Sequence, residues 1–156
     1  MAVAISTGRI GFAVLEGPSF LVDWCTLDLR GANNDERMEK ICATLAWFLP
    51  DTVIVEDVKA KGCMKGARTR LLIKRLKTET KLREINVETI SRVEVRKFFA
   101  PLGGHNKDAI ARVVTSQFPE MATSRPKERQ AWDCEQYAMA TFEAASFALV
   151  YLKRLG

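Results

Sequence analysis

Histidine is nearly absent from this chain: His105 is the only one in 156 residues. A His-rich metal site is excluded, and any metal would have to sit on carboxylate oxygen, which suits Mg²⁺ or Mn²⁺. The four cysteines, Cys25, Cys42, Cys63 and Cys134, are scattered and form no CxxC pair, which argues against zinc. With 47% apolar residues the chain needs no disulfides to build a core, so the cysteines read as reduced thiols and the expected location is cytoplasmic. No uncharged apolar run reaches the length of about 18 residues that a membrane span needs. Met1 to Ile5 lacks the basic start and full apolar stretch of a secretion signal. Gly-rich phosphate loops of standard spacing, internal repeats and low-complexity tracts are missing too. The length predicts one domain spanning 1–156.

What the chain does have is an acid-tipped strand running into a basic segment. Thr52-Val53-Ile54-Val55 ends in Glu56-Asp57. From Lys59 to Arg83 come ten Lys/Arg and one acid, Glu79, a local charge of +9 in a chain of net +5, so the remainder sums to about −4. A bias of that size repels itself unless a polyanion neutralises it, so the segment reads as a nucleic-acid surface rather than a solvated helix face. Its candidate contacts are Lys59, Lys61, Lys65, Arg68, Arg70, Lys74, Arg75 and Lys77.

Turn signals and periodicity set the element order. Three short strands are expected at 2–6, 10–15 and 20–27, with Gly17-Pro18 turning the chain and Phe20, Val22 and Trp24 sharing one face. Asn33-Asn34-Asp35 offers caps for a helix with Met38, Ile41, Cys42, Leu45, Phe48 and Leu49 at helical spacing, ended by Pro50. A strand at 52–55, a basic helix from about Lys65 with a thin stripe of Leu72, Ile73 and Leu76, and a strand at 85–90 follow. A short helix over 93–99 precedes one capped by Asn106. The stretch 119–127 reads as a loop, and the last helix is expected over 128–155. Trp24 and Trp47 read as core anchors, and Trp132 as either a core anchor or a base-stacking platform. A meander followed by β-α crossovers points to one mixed α/β sheet, antiparallel strands joined to parallel ones, with helices on both faces.

Several segments together resemble the RuvC-like Holliday-junction resolvases of the RNase H-like superfamily. Val3-Ala4-Ile5-Ser6-Thr7-Gly8-Arg9-Ile10-Gly11-Phe12-Ala13-Val14-Leu15-Glu16-Gly17 is similar to their opening hairpin, and Val53-Ile54-Val55-Glu56 to their acid-ended fourth strand. Gly104-His105-Asn106-Lys107-Asp108-Ala109-Ile110 is similar to the segment that sets a lysine at a helix start. Trp132-Asp133-Cys134-Glu135-Gln136-Tyr137-Ala138-Met139-Ala140 is similar to the final Asp-x-x-Asp-Ala-x-Ala helix. The resemblance implies an RNase H-like fold and a homodimer acting on branched or duplex DNA in recombination or repair. It implies a Mg²⁺-dependent endonuclease in which Glu56 and Asp133 hold metal and Lys107 stabilises charge on the phosphate. His105 is a weaker candidate for a proton or phosphate donor.

Two positions depart from that pattern. The first-strand Asp is Ser6, and the second acid of the last motif is Gln136. Neither replaces a charged oxygen ligand well. Three outcomes stay open: Asp57, Asp108 or Glu135 completes the site; activity is weak or needs a second subunit; or the chain is a non-catalytic nucleic-acid-binding or assembly subunit on the same fold. RNA as the substrate stays open as well.

Overall fold

Alternation along the first strand decides the architecture. In β1 (Ala2–Ile5), Ala2 and Ala4 belong to one core cluster while Val3 and Ile5 belong to another, and all four are buried. A strand buried on both faces must lie inside a sheet covered on both sides. The computed structural model, which describes residues 1–128, 130 and 136–156, shows this arrangement. Its five strands run in the order β3-β2-β1-β4-β5. β2 (Arg9–Glu16) and β3 (Phe20–Asp28) form the antiparallel meander with β1, while β4 (Thr52–Glu56) and β5 (Asn86–Ile90) pair parallel beyond it. The mixed α/β sheet expected from the sequence is the observed one.

Helices α1 (Asn34–Phe48) and α2 (Ala67–Leu82) cover the Val3/Ile5 face. α1 starts at a capping box in which Asn33 accepts from the Glu36 amide and Glu36 accepts from the Asn33 amide. α2 is held by Leu72, Ile73 and Leu76, all at most 1% exposed. Each buried side chain of that size contributes about 1.5–3 kcal/mol, enough to seat a helix whose other faces are charged. The opposite face carries α3 (Arg92–Phe99), α4 (Lys107–Gln117) and α5 (Met139–Leu155). α5 lies close on β2 because Gly11 has no side chain: a Cβ there would sit 2.1 Å from the Ala140 carbonyl.

Three sequence expectations change. Phe20 and Val22 are 61% and 44% exposed, and Leu21 is buried in their place. The β2–β3 register shifts at Val14/Leu15, so Leu15 faces Leu21 and Ala13 faces Trp24. This bulge inserts one residue and puts Leu21 and Trp24 on the same face, breaking the alternation. Trp47 is 81% exposed and anchors no core, whereas Trp24 packs against α5's cluster. The last helix begins at Met139, since Glu128 is non-helical and a 3₁₀ segment covers Pro119–Ser124. Trp132 lies outside the described residues. Among the described residues Cys25, Cys42 and Cys63 are free thiols, and no helix is long and apolar enough to cross a membrane.

Candidate functional site

The ends of β1 and β4 sit side by side because the two strands are parallel neighbours. Glu56 closes β4 and shares the strand parity of Ile54, so it faces the α5 side; it is only 2% exposed. A buried carboxylate needs cationic or hydrogen-bonding partners, and three elements bring cations to this corner.

The first is α3. Glu56 pairs in register with Ile90, and the chain then enters a capping box made by Ser91 and Glu94. The box fixes the helix start, so Arg92 occupies its first position. A cation there opposes the helix dipole at a cost of about 0.3–1 kcal/mol. Two carboxylates offset it: Arg92 Nε donates to Glu56 Oε1 at 2.8 Å and Nη2 to Glu143 Oε1 at 3.2 Å. Burial alone would pull the Arg92 guanidinium down, and Glu143 and Glu56 outweigh it and hold it above its ordinary value.

The second cation is Lys107, at the first position of α4, where the Asn106 side chain caps the helix by accepting from the Ala109 amide. Its Nζ lies 4.0 Å from Glu143 Oε2. The third is Lys65, from the loop before α2. Its ammonium donates to the Ile5 carbonyl at 2.7 Å and faces Glu56 Oε2 at 3.3 Å. Among the described residues nothing donates a hydrogen bond to that Glu56 oxygen. From the far side of the sheet the buried Arg37 of α1 donates to the carbonyls of Ser6, Thr7 and Leu29. Burial pushes its guanidinium down, with Arg68 adding to the effect.

The cluster of Glu56, Glu143, Lys65, Arg92 and Lys107 thus carries two acids and three cations. Beside it opens a cavity of about 360 Å³ with Val95, Ile110, Met139, Phe142 and Phe147 in its walls and Arg92, Arg96, His105, Asn106 and Lys107 among its polar lining.

Of the residues singled out in the sequence, Glu56, Lys65 and Lys107 come together here. Asp133, with Glu135 and Cys134, lies outside the described residues. Ser6 turns its hydroxyl to the Arg9 carbonyl at 3.1 Å. Gln136 exchanges hydrogen bonds with the Lys127 backbone. Asp57 accepts from the Lys59 amide. In the basic segment Lys59, Lys61, Arg68 and Lys74 are exposed. Arg70 is used internally, tying together the carbonyls of Val58, Cys63 and Lys65. Arg75 pairs with Asp35 at 2.8 Å, and Lys77 is half-buried. Sequence reasoning missed Arg92, Glu143 and Arg37. Glu143 had a signal: it is the only charged residue in 139–152.

The described residues do not fit a two-metal centre. Such a centre needs several carboxylates converging on two cations. Here both Glu56 oxygens already face protein cations, and no group of three or more His, Cys, Asp or Glu is placed to hold a metal among the described residues.

No family model matches the chain, and no curated protein matches it in sequence. Solved structures do. Thermus thermophilus RuvC superposes with a TM-score of 0.65 at 17% identity, covering 99% of this chain and 96% of that one. The fold is RuvC-like. A second structure, Thermus thermophilus RuvC in complex with a Holliday junction substrate, gives the same TM-score at 15% identity over the same coverage.

Proposed function

We propose that this RuvC-like chain binds branched or duplex DNA, with the exposed face of its basic segment, next to the ends of β1 and β4, receiving backbone phosphates. Local charge carries the reading: the segment 59–83 holds ten cations and one acid, which suits an anionic phosphodiester backbone. The exposed Lys59, Lys61, Arg68 and Lys74 extend positive charge along the same segment. The start of α2 adds to it, since Gly66 offers no side-chain cap and the first turn holds no acid. A junction has two symmetric arms, which a C₂ homodimer would match, so the proposal includes a dimer, measured as molar mass by light scattering.

Gel retardation of a labelled four-way junction, a duplex and a single strand in EDTA tests the reading. The junction should shift at the lowest protein concentration, and binding should weaken steeply between 50 and 200 mM salt, as roughly as phosphate-contacting proteins do. Absence of any shift removes the proposal, and structured RNA competing as well as the junction reassigns it to RNA. The hydrolytic reading, with Glu56, Asp133 and Lys107 carrying Mg²⁺-dependent cleavage, predicts cut junction in parallel lanes with Mn²⁺. The pairing of Glu56 with Lys65 and Arg92 argues against that outcome.

A further inference from the structure

The ends of β1 and β4 offer two hard oxygen donors side by side, the Ile5 carbonyl and Glu56 Oε2. Oxygen pairs of this kind attract Mg²⁺ or Mn²⁺. Among the described residues one side chain meets both: Lys65 Nζ, 2.7 Å from the carbonyl and 3.3 Å from the carboxylate. The Lys65 side chain is 10% exposed and that of Glu56 2%, so the contact is shielded from water. Ser6, next along β1, spends its hydroxyl on the Arg9 carbonyl.

We propose that the Lys65 ammonium is a built-in cation that occupies the divalent-ion position at this strand edge, so that the protein joins the ends of β1 and β4 without metal. The chemistry favours it. An ammonium is a compact point charge with donors of its own, so it can hydrogen-bond the carbonyl while pairing electrostatically with the carboxylate. A divalent ion would have to displace Lys65 while Arg92 still occupies the other Glu56 oxygen. The inference concerns the free protein and stands apart from DNA binding, which is scored separately in EDTA.

The test is thermal melting of the full chain, without nucleic acid, in EDTA and in millimolar Mn²⁺. The wild type should melt at the same temperature in both. Lys65→Met keeps the stem and removes the charge. It should melt lower in EDTA and regain roughly 3–6 °C at Mn²⁺ near ten times its dissociation constant. The double variant Lys65→Met/Glu56→Gln should lose that gain. A folded Lys65→Met that gains nothing from Mn²⁺ overturns the proposal. Calorimetry on the wild type covers the case in which Lys65→Met does not fold: stoichiometric Mn²⁺ binding abolished by Glu56→Gln also overturns it, and no binding supports it.

Discussion

Two cation-rich regions of this molecule put the same residue types to different use. On the outer faces of α2, Lys74 stands in solvent and the exposed Arg68 reaches back to the Ala32 carbonyl at 2.7 Å. At the ends of β1 and β4, Lys65, Arg92 and, across the sheet, Arg37 are turned onto carboxylates and carbonyls. Lys74 in particular is open to a ligand and adds little to the fold. The second is committed to the fold. Burial, more than charge count, separates them, because a charge taken from water must be matched inside the protein.

The largest effect that would test this contrast is at Glu56. Glu56→Ala leaves Lys65 and Arg92 facing each other without their shared carboxylate, and breaking a buried pair of this kind costs about 3–5 kcal/mol. Urea denaturation measures it, and a loss under about 1 kcal/mol would show that the pocket's charges are solvated after all. Next is Arg37→Met, which takes the charged donor from three carbonyls and should cost roughly 1.5–3 kcal/mol by the same measurement. Arg75→Ala marks the other extreme. Its partner Asp35 is 83% exposed, so stability should change by no more than about 1 kcal/mol. If Arg75→Ala matched Arg37→Met, exposure would not be what divides the two regions.

The elements were legible because their signals are local. Alternation and the Gly17-Pro18 turn marked the meander, and Asn33 and Pro50 bracketed α1. The strand ending at Glu56 was legible as an apolar run tipped by acid. What failed depended on the partner strand or on distant elements. Phe20 and Val22 faced outward because of a bulge that involves β2, which β3 alone cannot announce. Trp47 sits in the last turn of α1 on its solvent face, 81% exposed, which its own segment does not mark. The cluster was half legible. Glu56 and Lys107 stood out from motif resemblance, whereas Lys65 was one lysine among ten cations and nothing local marked it as the one turned inward. Arg92 could have been noticed as a cation at a helix start, and Glu143 as a lone acid on an apolar helix.

The most direct measurement is the salt dependence of junction binding in EDTA for Lys74→Ala and Lys65→Met. Removing one exposed phosphate contact should lower the slope of log affinity against log salt by about 1. The account predicts that drop for Lys74→Ala and an unchanged slope for Lys65→Met. Equal drops in the two variants would contradict it, because Lys65 would then be neutralising DNA rather than Glu56.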